Sequence, residues 1–344
     1  MKKTPVFLLL LLVCAAGATP YYAMHDGVRC SACHLNPEGG GMRTPYAAYR
    51  FGRKGPDITL GDYLRFDAEG RFLFSAADSG NRVDTTFNAM DYRLRLNPRL
   101  DGVVDAVVSV SRFGFDEAAA RVYLPEGLYV KAGRYRPPFG LTDDDHRLAT
   151  REILGFHPLT WFETGAEVGW VSEGTHLAAG AYNGGGDAFD VSRGKAALGR
   201  ATQWVGPVFF GGSYLYEEAQ DPASGLYGTR WAAAGFLAVD LPLDIGLAGE
   251  YVFREERRAG VRDFTDDSGF WVGADFWLGP VQTLLVYDSF AADEESGSLY
   301  LDRDYLTGRV IWHAMSFFDL EAGLKYGLDD GATNYYLLQL RVVF

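Results

Sequence analysis

The sequence predicts an all-β chain: an antiparallel β-barrel of the outer-membrane type, with about 16 strands, behind a short N-terminal segment. Three observations predict it. From Tyr63 onward, apolar and charged residues alternate with period two. Along the same region, short turn-forming connections alternate with longer polar ones. The chain then ends on an amphipathic run closed by an aromatic residue, Phe344. Composition agrees: 15% aromatic, 48% hydrophobic and 42 glycines.

The N-terminus comes first. Lys2-Lys3 precede an apolar run from Val6 to Val13, then Ala16-Gly17-Ala18. A charged start, a short apolar stretch and an A-x-A site read as a secretory signal peptide over residues 1–18. The apolar run is too short to span a bilayer as a helix. Cys14 is preceded by Val13, where a lipoprotein site wants a small residue, so lipidation is not expected. Cleavage after Ala18 removes two lysines and takes the net charge from −13 to −15. So acidic a chain is no partner for nucleic acid, whose phosphates need a basic surface.

Residues 19–60 and 61–344 differ in kind. The first stretch is rich in turn formers, such as Asn36-Pro37-Glu38-Gly39-Gly40-Gly41, and poor in core material. A segment of this size has trouble folding alone without a cofactor or a neighbour. The second stretch carries the strands. Leu64, Phe66, Ala68, Phe72 and Phe74 alternate with Arg65, Asp67, Glu69 and Arg71. Tyr92, Leu94 and Leu96 alternate with Asp91, Arg93, Arg95 and Asn97. Ile245, Leu247, Tyr251 and Phe253 alternate with Glu250, Arg254 and Glu256. Leu320, Ala322, Leu324 and Tyr326 alternate with Asp319, Glu321 and Lys325. One face suits lipid and the other a polar lumen.

The short connections are expected at Pro98-Arg99-Leu100-Asp101, Pro125-Glu126-Gly127, Glu173-Gly174, Gly206-Pro207, Leu241-Pro242-Leu243-Asp244, Leu278-Gly279-Pro280 and Ser316-Phe317-Phe318. In an outer-membrane barrel these would be the periplasmic turns, with both ends of the barrel on that side. One insertion, roughly Arg136–Trp161, is much longer than the rest and is expected to fold inward. In the last strand Tyr336, Leu340, Val342 and Phe344 share a face. That ending resembles the signal by which outer-membrane barrels are recognised for insertion.

Chemistry concentrates in Cys30-Ser31-Ala32-Cys33-His34. Two cysteines spaced C-x-x-C and followed by histidine read as a c-type haem attachment site. The two thiols add to the two vinyl groups of one porphyrin, and His34 sits under the iron as proximal ligand. A zinc site would need further thiols or histidines. A thioredoxin-like dithiol would need a βαβ scaffold. The distal position has several candidates: Met42 after the glycine-rich loop, His25 or Met24 before the motif, or no protein ligand.

Acidic runs at Asp143-Asp144-Asp145-His146, Glu217-Glu218, Asp266-Asp267, Asp293-Glu294-Glu295 and Asp329-Asp330 are placed in external loops. Carboxylates suit hard divalent cations such as ferrous iron, but solvated loop charge is the simpler expectation. His157, His176 and His313 stand alone and are given no role. Trp161, Trp170, Trp204, Trp231, Trp271, Trp277 and Trp312 are expected in interfacial aromatic girdles.

These features together resemble the fused outer-membrane cytochrome–porins, in which a short monohaem segment precedes a barrel of this size. Iron oxidases are the best-known members. The resemblance implies covalent haem c on Cys30 and Cys33 with His34 on the iron. His34-Leu35-Asn36-Pro37-Glu38-Gly39-Gly40-Gly41-Met42-Arg43 also resembles haem segments of barrel proteins in metal-respiring bacteria. Gly133-Arg134-Tyr135-Arg136-Pro137-Pro138-Phe139-Gly140-Leu141 is similar to a segment of the phosphate-selective porins, just before their long loop.

The expected function is electron transfer across the bacterial outer membrane, by iron oxidation or metal reduction. The expected partners are a periplasmic soluble cytochrome, outer-membrane lipid and an extracellular ferrous iron donor or metal acceptor. The alternatives are a diffusion porin with a haem-bearing plug and a sheath for a separate multihaem cytochrome.

Overall fold

The computed structural model describes residues 58–60, 64–78, 83–100, 104–111, 114–141, 148, 150, 161–172, 174–184, 194–220, 227–243, 245–257, 265–292, 303–315, 318–329 and 332–343. Among them, seventeen strands form one antiparallel sheet. The first half comprises β1 Ile58–Leu60, β2 Leu64–Asp78, β3 Val83–Leu100, β4 Val104–Ser111, β5 Gly114–Tyr123, β6 Leu128–Tyr135, β7 Glu163–Val171, β8 Thr175–Tyr182 and β9 Ala196–Val205. The second half comprises β10 Val208–Gln220, β11 Tyr227–Leu241, β12 Ile245–Arg257, β13 Thr265–Leu278, β14 Val281–Ala292, β15 Arg303–Met315, β16 Phe318–Gly327 and β17 Asn334–Val343.

Each strand from β2 to β17 pairs with the next, and β17 pairs back onto β2, from Asn334 opposite Asp78 to Val343 opposite Glu69. Closure leaves no long edge with unpaired backbone groups, which a hydrocarbon surround would penalise heavily.

Strand β1 is set apart. It pairs with the start of β2, Ile58 opposite Phe66 and Leu60 opposite Leu64. β17 stops at the residue opposite Glu69. The short strand therefore continues the line of β17 and covers the part of β2 that β17 does not reach. Because β1 runs antiparallel to β2, it descends toward the barrel end where β2 begins.

The two faces follow from the strand period. On β12, Glu250 and Val252 are 3% and 0% exposed, while Tyr251 between them is 52% exposed. Leu237, Val272, Leu285, Tyr336 and Leu338 lie on the same outer surface as Tyr251. The alternations expected for β12 and β16 hold in this way, with Glu250, Asp319 and Glu321 buried inside.

The tight turns gather at one end. Pro125–Gly127 is a single 3-10 turn, with Glu126 at φ 62° and Gly127 at φ 81°. A Cβ on Gly127 would collide with the carbonyl of Val171, so no larger residue fits there. Gly206 (φ 56°) and Gly279 (φ 66°) make equally tight reversals. The first expected turn is displaced. Pro98, Arg99 and Leu100 belong to β3, and the reversal to β4 comes after them. Proline has no N–H to donate. The ladder to β4 accordingly lapses between Leu96 and Arg99, but the backbone stays extended.

The tryptophans divide between the two faces. Trp170 and Trp312 belong to the outward positions of β7 and β15, as does Trp231 on β11. Trp271 is 2% exposed and faces inward, and Trp161 is buried inside as well. Trp204 packs against the inner cluster on Phe209, and Trp277 stacks on His313. The expectation of a girdle role for all seven is corrected for these four. Aromatic residues serve both faces of a barrel, and only register tells them apart.

Candidate functional site

The segment after β6 folds into the lumen. Pro137 and Pro138 cannot extend the ladder and so end the strand. Phe139 N donates to Pro137 O at 2.9 Å, closing a tight turn, and Gly140 at φ 66° redirects the chain. The backbone then docks on the opposite wall. Gly140 N donates to Ser213 Oγ of β10 at 2.9 Å, and Leu141 N donates to Glu250 Oε1 of β12 at 2.7 Å. The other oxygen of Glu250 accepts from Trp271 Nε1 at 3.2 Å and from Thr150 Oγ1 at 3.5 Å. One carboxylate thus holds two points of the infolded strap.

The wall beneath the strap is built to receive it. Ala232, Ala234, Ala238 and Ala248 are buried at inward positions of β11 and β12. Small side chains there leave depth for the strap's large ones. Phe139 and Trp161 join the cluster of Leu198, Leu215, Ala232, Ala234 and Val252. Their rings meet edge to face at 6.3 Å. Leu141 and Leu148 join a second cluster with Phe236, Ala238, Ala248, Trp271 and Leu284. The described residues of the long insertion, 136–141, 148, 150 and 161, thus pack on the inner wall, in line with the expected inward fold.

A hydrogen-bonded relay lines the wall of β6 to β8. Tyr129 Oη donates to Glu167 Oε1 at 2.6 Å, and Tyr182 Oη donates to Glu167 Oε2 at 3.2 Å. Tyr129 Oη also lies 2.9 Å from His176 Nε2. With the phenol proton committed to Glu167, His176 Nε2 carries the hydrogen of that contact. Glycine makes room for the rings. A Cβ at Gly169 would strike the Tyr129 ring, and a Cβ at Gly165 or Gly180 would strike Tyr182.

The wall from β10 to β17 carries paired charge. Arg230 bonds Glu217, and Arg254 Nε donates to Asp267 at 3.0 Å. Lys325 reaches Asp288 at 3.0 Å, and Arg309 reaches Glu321 at 3.4 Å. Gln339 adds a second bond to Glu321 at 3.0 Å. Near the turn end, Asp319 holds His313 Nδ1. Asp275 accepts from Trp277 and Gln282, at 2.5 Å and 3.0 Å.

Two placements differ from the sequence reading. Glu217-Glu218 and Asp266-Asp267 lie within β10 and β13 rather than in loops, and Glu217 and Asp267 face inward in ion pairs. A carboxylate at a lumen position reads in sequence like one in a loop. His176 and His313 also have partners. Strand parity and the short β15–β16 reversal, which sets His313 opposite Asp319, could have found the second pair.

Cys30, Cys33, His34, Met42, His25 and Met24 lie outside the described residues, as do Asp143, Asp144, Asp145 and His146. Sequence reasoning singled out neither Glu250 as an anchor nor Ser213 and Glu167, which carry no motif.

The strands β2 to β17 make a closed sixteen-strand barrel, and solved outer-membrane barrels superpose on this chain. OmpT of Vibrio cholerae, folded in vitro, superposes with a TM-score of 0.64 at 10% identity, covering 84% of this chain and 100% of that one. The described chain has the fold of a porin-like outer-membrane barrel. An anion-selective porin from Comamonas acidovorans gives a TM-score of 0.59 at 12% identity, over 82% of this chain and 99% of that one. OprB of Pseudomonas putida gives 0.58 at 11% identity, over 83% and 95%. No family model and no curated protein matches the sequence. The porin-like barrel therefore stands on its architecture.

Proposed function

We propose that this protein carries electrons across the bacterial outer membrane through one c-type haem housed at the lumen of its porin-like barrel. The run Cys30-Ser31-Ala32-Cys33-His34, carried in the same chain as a closed porin-like barrel, is the observation that supports this reading. Arg50, Arg53, Lys54 and Asp57, in the sequence before β1, are charged, and charge in the hydrocarbon is costly, which argues against a lipid-facing haem segment.

The donor set fits the cofactor: two thiols in C-x-x-C spacing and an adjacent imidazole are what covalent haem c requires. Cys30 and Cys33 would anchor it and His34 would hold the iron from one side. Met42 is the favoured distal ligand, with His25 and Met24 as alternatives. Bound haem would supply a reversible one-electron couple. The barrel's share is to exclude lipid and to set the polarity around the group, which tunes its potential.

One haem does not bridge a hydrocarbon layer of about 25 to 30 Å. A periplasmic soluble cytochrome completes the route on the turn side, where both barrel ends then lie. Ferrous iron as external donor would run electrons inward, and an oxidised metal as acceptor would run them outward.

A second reading, a selective diffusion channel, is favoured by the polar and paired charged groups that line the inner wall. The pyridine haemochrome spectrum of the purified full-length protein tests the first reading. Covalent haem that disappears in Cys30→Ala/Cys33→Ala supports it. A folded barrel without haem after competent maturation defeats it and leaves the channel.

A further inference from the structure

We infer that Arg200 and Ser213 form a binding site for a small oxyanion, a carboxylate or a phosphate, on the inner wall of the barrel. The inference is independent of the haem and stands or falls apart from it.

Arg200 is an inward-facing cation with no carboxylate partner among the described residues. It faces inward on β9 and is 5% exposed. Its Nε and Nη1 are buried and make no hydrogen bond. Its described contact is with the face of Phe236, 5.4 Å from the ring centre. A ring face attracts a guanidinium but leaves its N–H groups unsatisfied.

Other cations on the inner wall are treated differently: Arg230, Arg254, Arg309 and Lys325 each hold a carboxylate. Three buried acids of the inner wall are engaged elsewhere. Glu217 binds Arg230, Glu250 holds the strap and Glu167 takes both tyrosines. A buried guanidinium without a counter-charge is strongly unfavourable, so a ligand that supplies one is favoured there.

Ser213 adds a second donor. It sits directly opposite Arg200 across the β9–β10 ladder, on the same inner face. Side chains at such positions are about 5 Å apart at Cβ. Ser213 Oγ accepts from Gly140 N, which leaves its own hydroxyl hydrogen to donate. A guanidinium fork beside a hydroxyl matches two or three oxygens on one centre, the geometry of carboxylate and phosphate recognition. The site lies against the strap, whose Gly140 N is bonded to Ser213 Oγ.

Isothermal titration of the folded full-length protein in detergent, at low salt, tests the site with inorganic phosphate in one arm and sodium acetate in the other. Binding of phosphate, acetate or both by the wild type is expected, and the stronger arm names the class. Arg200→Gln is expected to weaken it by about tenfold or more, and Arg200→Lys by about threefold, since charge survives but the fork does not. Ser213→Ala, which keeps the guanidinium, is expected to weaken it several-fold. Heat-modifiable migration confirms that each variant is folded. No binding of either anion by the wild type, or unchanged affinity in Arg200→Gln or Ser213→Ala, overturns the inference.

Discussion

Glu250 on β12 accepts the backbone amide of Leu141 at 2.7 Å, across 109 residues of sequence. That contact joins the barrel wall to the strap inside it. Glu250 also takes Trp271 Nε1, so the latch is itself braced by the next strand.

Removing the latch should loosen the strap. Glu250→Ala leaves the Leu141 amide and the Trp271 indole N–H without their acceptor. Each orphaned buried donor costs about 1 to 3 kcal/mol. Urea unfolding should show a loss of about 2 to 6 kcal/mol for the two donors together, and single-channel conductance should rise as the strap departs from the wall. Glu250→Gln, which keeps one oxygen acceptor, should show the smaller effect on both.

Gly169 sets the Tyr129 ring. A valine there would drive the ring off the wall and break its bond to Glu167. The expected loss is about 1 to 3 kcal/mol, as for other overpacked sites. Gly235, where an added Cβ would meet open space, is the control. Gly235→Ala should leave the unfolding midpoint nearly unchanged.

Arg309 and Glu321 are 8% and 7% exposed at their side chains. Breaking such a pair from one side strands a buried charge and costs about 3 to 5 kcal/mol. Arg309→Met should therefore destabilise the barrel strongly. Arg309→Met combined with Glu321→Gln should recover most of the loss, because Gln339 can still bond the amide. A double-mutant cycle in urea measures the coupling.

Met42→Ala tests the distal position. If Met42 holds the iron, the thioether-to-iron band near the red edge of the spectrum should vanish and the potential should fall. A band that survives the substitution assigns the position to another residue, Met24 first among thioethers. A spectrum that lacks the band in the wild type points to His25 or to an open position.

The wall of the barrel was legible in sequence because lipid and lumen impose opposite chemistry on alternate residues, as at Glu250, Tyr251 and Val252. The strap was legible from its length and from Pro137-Pro138, which no central strand tolerates. Its landing site was not, because Ala232, Ala234, Ala238 and Ala248 come from two strands that only register aligns beneath it. Trp204 and Trp271 could not be told from the outward tryptophans for the same reason. Glu217 and Asp267 read as loop charge in sequence because a lumen ion pair needs an arginine from a neighbouring strand, thirteen positions away in each case. Arg200 carried no signal at all: its distinction is the absence of a partner, which is a property of the fold.

Electron passage through the reconstituted protein decides between a conduit and a channel. Liposomes carrying the haem-loaded protein and an internal electron acceptor are exposed to external dithionite or ferrous iron, and the acceptor is followed optically. The acceptor is expected to be reduced with the wild type and to stay oxidised with Cys30→Ala/Cys33→Ala. A wild-type acceptor that stays oxidised while small solutes leak freely would contradict the conduit.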